Sequence, residues 1–148
     1  MEKDIKYEQE LNKLLADYQI HYQNLRLLHW NIKGENFFEL HGKYEEWYNR
    51  TLIIIDEIAE RLLTLGLQPI STFSGYIATS EIKELPIVTD GKTGVQYISD
   101  AQQTLLKQER EIMRIAAEKG DEGTSSFMSD LIREKEKENW MLRAWLNK

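Results

Sequence analysis

Leu27-Leu28-His29-Trp30-Asn31-Ile32-Lys33-Gly34 closes a long periodic run with an imidazole, an indole and then a glycine, and its reading decides the fold. Upstream, from residue 5 to about 33, Leu11, Leu14, Leu15, Tyr18, Tyr22, Leu25, Leu28 and Ile32 recur at steps of three and four, the period of an amphipathic helix. No Gly or Pro interrupts the run, Gly34 offers a C-terminal stop, and Lys33 suits the negative end of the helix dipole. Downstream, a second helix begins near residue 35 or 36. Phe38, His41, Glu45, Tyr48, Leu52, Ile55, Ala59 and Leu62 give it a three-four pattern, and it ends at Gly66, three residues before Pro69. The two segments make a pair of long antiparallel helices.

Both prolines, Pro69 and Pro86, fall between residues 67 and 90, where the helical period lapses among Ser71, Ser74, Gly75 and Ser80. A connection of this length in a compact domain is functional or holds an element of its own, and residues 72–84 can carry a short helix. The third helix spans about 93–119, with Val95, Ile98, Leu105, Ile112 and Ala116 inward and Gly120 closing it. The fourth, about 124–146, carries Phe127, Leu131, Leu142 and Trp145, with charges crowding residues 133–137 outside. Strands find support only in the short runs 51–55 and 85–88, the first inside a periodic helix. Two hairpins joined by a long crossover specify an all-α fold and resemble the ferritin-like four-helix bundle, with a short extra helix between the second and third helices.

At 148 residues and 41% hydrophobic content the chain forms one domain, residues 1–148. A net charge of -6, from 19 basic and 25 acidic residues, is wrong for a polyphosphate surface and right for attracting cations. With no cysteine, thiolate metal sites and disulfides are excluded. The charged N-terminus is unlike a signal peptide and no run is long and apolar enough for a membrane span, so the expectation is a soluble, cytoplasmic protein.

The chemistry lies in polar residues on apolar faces. His29 falls in line with Leu25, Tyr22, Tyr18 and Leu11; taken alone, it reads first as a core histidine bonded to a carbonyl or a tyrosine. His21, at the edge of the stripe, reads the same way. On the second helix, in Ile55-Asp56-Glu57-Ile58-Ala59-Glu60-Arg61, Asp56 and Glu60 stand one turn apart on one face, which suits two oxygens on one cation. Their neighbours there are Leu52, Ile53 and Leu63, while Ile55, Ile58, Leu62 and Leu65 form a second apolar sector. One sector serves the core and the other a contact with a second chain; the rival reading pairs the carboxylates with arginines of a neighbouring helix. His41 and Glu45 form another i, i+4 pair. His41 and Asp56 are 15 residues apart, about 22 Å along a helix, so one straight helix cannot bring them to a single ion. Two such helices antiparallel about a two-fold axis can, and an isologous contact makes the site twice. Imidazole and carboxylate ligands admit iron, zinc or manganese. No Glu stands three residues before a His, which disfavours a di-iron centre inside one bundle.

The run 29–34, His41, Glu45, residues 56–61, Leu65-Gly66 and Pro69 together resemble the Dps family of miniferritins over nearly the whole chain. That resemblance implies a dodecameric shell with ferroxidase centres at two-fold interfaces, each taking up to two iron ions, and a cavity storing ferric mineral. It implies that His29, His41, Asp56 and Glu60 are iron ligands and catalytic residues, with Glu45 beside the second iron and Trp30 next to the centre. It also implies hydrogen peroxide as the preferred oxidant of Fe(II), and protection against oxidative damage. Members of the family bind DNA, often through lysine-rich tails. Residues 1–8 here mix charges and the chain stops just past the last helix, so DNA binding is expected to be weak or absent, with a nucleoid-protecting protein as the alternative. A third possibility is a helical oligomerisation module with structural histidines. Asp121 and Asp130 match the acidic lining of the family's three-fold pores, although Asp121 also suits a plain helix N-cap.

Overall fold

The computed structural model describes residues 2–148, and among them there are five helices and no strand. They are α1 (Glu2–Asn31), α2 (Phe37–Thr64), α3 (Phe73–Thr79), α4 (Gly91–Lys119) and α5 (Glu122–Trp145). α1 packs along α2 and α4 along α5, and contacts between α1 and α4 join the two hairpins into the expected bundle. Gly34 at φ 102° and Gly66 at φ 77° occupy the left-handed region at the ends of α1 and α2, where a side chain is strained. α4 starts earlier than the apolar period indicates, because Asp90 caps it by accepting from the Thr93 amide at 2.8 Å. The short helix is confined to seven residues behind Thr72, whose hydroxyl caps Gly75.

The inward residues of α1 and α4 are as expected, with Leu11, Leu14, Leu15, Tyr18, Leu25 and Leu28 buried against Val95, Ile98, Leu105, Ile112 and Ala116. The α2 pattern needs correction. Phe38 and Leu52 are exposed, and the stripe that reaches the core is Leu40, Tyr44, Thr51, Ile54, Ile55, Ile58 and Leu62. The run through residues 38, 41, 45, 48 and 52 was a second face of the same helix, which a three-four count does not distinguish from the first.

The crossover is fastened along α1 by polar side chains buried at the edge of its stripe. Asn12 donates to the Gln68 carbonyl and accepts from the Ile70 amide. Asp17 accepts from the amides of Glu81 and Ile82 and from the Gln108 side chain. Asn24 accepts from the Leu85 amide and donates to the Lys83 carbonyl. Backbone that lacks a ladder of its own thus finds partners on α1, and α3 is held where Phe73 and Ile77 lie exposed beside the outer surface of α1.

Candidate metal centre

The turn between α1 and α2 brings two histidines face to face. His29 sits in the last turn of α1 and His41 in the second turn of α2, with ring centroids 3.8 Å apart and planes within 16°. His29 Nδ1 bonds the His41 carbonyl at 2.6 Å and His41 Nδ1 bonds the His29 carbonyl at 2.9 Å. A carbonyl only accepts, so both Nδ1 atoms carry the hydrogen, and Nε2 is the ring atom left to each imidazole for another partner. A backbone carbonyl behind the imidazole is the arrangement that fixes ring and tautomer in metal-binding histidines. Packing reinforces it: Phe37 stacks on His41 at 4.9 Å and Tyr48 meets His29 edge-on at 5.3 Å.

His29 thus combines both readings made from sequence. It is buried, 6% exposed, and bonded to a carbonyl as a core histidine would be, yet its Nε2 lies 3.7 Å from Glu45 Oε1. Glu45 and Glu46 are both exposed on α2, and Trp30 stands exposed beside the turn with the Arg26 guanidinium 4.8 Å over its ring. His21 stays in the core. It shares a 2.9 Å hydrogen bond with Tyr97, and burial pushes its pKa down to about 3, so it is neutral.

Asp56 and Glu60 lie further along α2, exposed, with no hydrogen bond or ion pair to their carboxylates among the described residues. No arginine of a neighbouring helix pairs with them among the described residues; Arg133 of α5 is 2.8 Å from Asp130, and on α2 itself Arg50 forks onto Glu134 at 2.9–3.2 Å and Arg61 reaches Asp121 at 2.8 Å. Around the two carboxylates Leu52, Ile53 and Leu63 are each at least 50% exposed. Large aliphatic side chains grouped on one open face mark a surface made for contact. Within one chain, no three metal-ligating side chains converge among the described residues, and His29, His41 and Glu45 sit at the opposite end of the face from Asp56 and Glu60.

The two proposed pore residues differ. Asp121 caps α5 by accepting from the Thr124 amide at 3.0 Å, pairs with Arg61 and accepts from the Tyr7 hydroxyl at 2.7 Å. Burial opposes its charge, but these donors outweigh it and hold its pKa down to about 2. It is the N-cap that the sequence also allowed. Asp130 is exposed, 2.8 Å from Arg133, and lines an open cleft of about 420 Å³ with Glu57 and Glu60.

A bundle of two hairpins joined by a crossover, with imidazole and carboxylate groups on one face, defines a ferritin-like protein, and residues 8–148 match the Ferritin-like domain family. A DNA protection during starvation protein of Porphyromonas gingivalis is 41% identical over 138 residues, 93% of this chain and 87% of that protein. The crystal structure of the DPS protein of Vibrio cholerae O1, described as a member of a broad superfamily of ferritin-like diiron-carboxylate proteins, aligns with a TM-score of 0.95. The two are 51% identical, with 97% of this chain and 91% of that one covered. A Dps protein of Bacillus brevis gives the same TM-score at 31% identity, covering 99% of this chain and 98% of that one. The chain belongs to the Dps family of ferritin-like proteins.

Proposed function

We propose that the protein is a ferroxidase and iron store, oxidising Fe(II) with hydrogen peroxide at centres shared between two subunits and depositing ferric mineral inside a dodecameric shell. The observation that carries this reading is the pair of incomplete half-sites on one chain. Two imidazoles are locked with Nε2 free, and two carboxylates stand unpaired on an open apolar face. Antiparallel association of two α2 helices about a two-fold axis brings His29, His41 and Glu45 of one subunit to Asp56 and Glu60 of its mate. The exposed Leu52, Ile53, Leu63, Phe73 and Ile77 supply the apolar area for that contact.

Iron is the substrate. Two ferrous ions held together give up one electron each; peroxide takes both with two protons, and its O–O bond breaks to give two waters. Cleaving the bond in one two-electron event leaves no hydroxyl radical, which is how such a protein would limit oxidative damage. The carboxylates favour the ferric product through charge, and the locked imidazoles hold the ligand geometry without reorganisation. Work in the cytoplasm accords with this chemistry, and no helix among the described residues is long and apolar enough to cross a membrane.

The name of the Porphyromonas gingivalis relative, DNA protection during starvation protein, suggests shielding of DNA, the second reading. Against direct binding stand the net charge of -6 and the pairing of Arg50, Arg61, Arg110, Arg114, Arg133 and Lys13 with carboxylates. We read any DNA protection as a consequence of iron removal, with binding weak or absent. The experiment is stopped-flow oxidation of Fe(II) by peroxide: His29→Ala or Asp56→Ala should slow it at least tenfold while leaving the particle's mass unchanged. Wild-type rates in both variants would remove the assignment.

A further inference from the structure

The two histidines of the centre are not held equally. His29 is buried, whereas His41 is half-buried and can swing out to water. Each ring has one hydrogen bond to the chain, through Nδ1. The acceptor for His41 lies in the last turn of α1, where carbonyls run out of amide partners. The Lys33 amide, which would continue the helix onto His29, bonds the Thr89 carbonyl at 2.9 Å instead, so His41 takes up a vacant acceptor. One hydrogen bond that water can replace gives little net hold on a half-exposed side chain, and the second torsion of an imidazole is intrinsically broad.

A column of rings supplies the rest of the hold. Phe37 lies 4.9 Å from His41 with planes within 17°, and His29 lies 3.8 Å from it with planes within 16°. Phe37 and His29 make no ring contact with each other among the described residues, so His41 is the middle ring. Tyr48 meets His29 edge-on and Tyr22 at a centroid distance of 6.0 Å. Phe37 and Tyr48 both pack against the apolar cluster that contains Leu25, Leu28, Ile32 and Leu40. Phe37 is also fixed by its backbone where α2 begins, its amide bonded to the Gly34 carbonyl at 3.1 Å. It is a wall anchored in the core, and it faces the imidazole that the core does not surround.

We propose that Phe37 is a positioning residue of the metal centre: its ring keeps His41 from swinging out to water and so presents the two imidazoles as one preformed pair. This rests on the reading of His29 and His41 as ligands. A leucine at position 37 fills the core contact but offers His41 no flat face, whereas a tyrosine offers both. Removing a group that orients a ligand imidazole weakens metal binding by about ten- to a hundredfold.

The test has two arms, both on the assembled protein. Without metal, diethyl pyrocarbonate should acylate His41 several times faster in Phe37→Leu than in the wild type, and Phe37→Tyr should restore the wild-type rate. In calorimetric titration with Co²⁺, Phe37→Leu should bind about tenfold more weakly at unchanged stoichiometry, and Phe37→Tyr should bind as the wild type does. Val95→Ala weakens the same apolar cluster without removing a ring, and should keep the wild-type affinity even where it lowers the melting temperature as much. Equal acylation of His41 in Phe37→Leu and the wild type would overturn the proposal. So would unchanged Co²⁺ affinity in Phe37→Leu, or a loss that Val95→Ala reproduces or Phe37→Tyr fails to restore. Wild-type Co²⁺ binding that survives His29→Ala with His41→Ala would instead remove the ligand reading itself, a result distinct from any that concerns Phe37.

Discussion

Replacing Asp17 by alanine tests how the crossover is held. The carboxylate is fully buried and accepts three hydrogen bonds: from the Glu81 amide at 2.8 Å and the Ile82 amide at 2.7 Å, both on Oδ1, and from Gln108 Nε2 at 2.6 Å on Oδ2. Water can replace the acceptor at exposed Glu81 but not at Ile82 or Gln108, which are buried. Two orphaned buried donors at about 1–3 kcal/mol each put the cost of Asp17→Ala at roughly 2–6 kcal/mol. Asp17→Asn behaves differently. Its oxygen retains both amides, and its NH₂ faces Gln108, whose Oε1 is buried without a partner and can turn to accept. The expected cost is under about 1 kcal/mol. Urea unfolding at one fixed subunit concentration measures both, since assembly is linked to folding, and hydrogen exchange at residues 81 and 82 localises the change. Equal costs for Ala and Asn, or a loss below 1 kcal/mol for Ala, would refute this account of the crossover.

Glu109 gives a pH dependence with a definite sign. Its folded pKa is raised from 4.5 to about 7, so the stability it contributes is complete below the unfolded value and is lost as pH climbs through 7. That amounts to up to about 3 kcal/mol, and Glu109→Gln should flatten the difference between urea midpoints at pH 5 and pH 8. At the other end of the bundle, Asp121→Ala removes the α5 cap, the Arg61 ion pair and the Tyr7 hydrogen bond. It should cost about 2–4 kcal/mol in the same assay, whereas Asp130→Asn should leave the midpoint unchanged.

The fold was largely legible because four apolar periods, Gly34, Gly66 and Gly120, and the two prolines of the crossover mark nearly every boundary. Helix α2 misled in part, since a helix apolar on two faces offers two three-four counts and only packing decides which is the core. The half-sites were legible as residues. His29 was visible as a polar group in an apolar line, and Asp56 with Glu60 as charges beside Leu52 and Leu63. What spacing could not show is the reciprocal bonding of His29 and His41, which depends on how the turn at Gly34 closes. Nor could it show that Arg50 and Arg61 are committed elsewhere, because their partners lie 84 and 60 residues away. Asn12, Asp17, Asn24, Glu109 and Lys135 were legible only as interruptions of apolar stripes, and no local rule assigns them partners in the crossover or across the bundle.

The central claim is that each centre draws ligands from two chains, and subunit mixing tests it most directly. One variant carries His29→Ala with His41→Ala, the other Asp56→Ala with Glu60→Ala, and each alone should be inactive in peroxide-driven Fe(II) oxidation. In a mixed dimer one of the two centres regains both halves while the other loses both. Random reassembly of equal amounts should therefore restore roughly a quarter of the wild-type centres. Recovery near that fraction is the result the shared centre predicts, and a mixture as inactive as its parents, with particles of normal mass containing both variants, would contradict it.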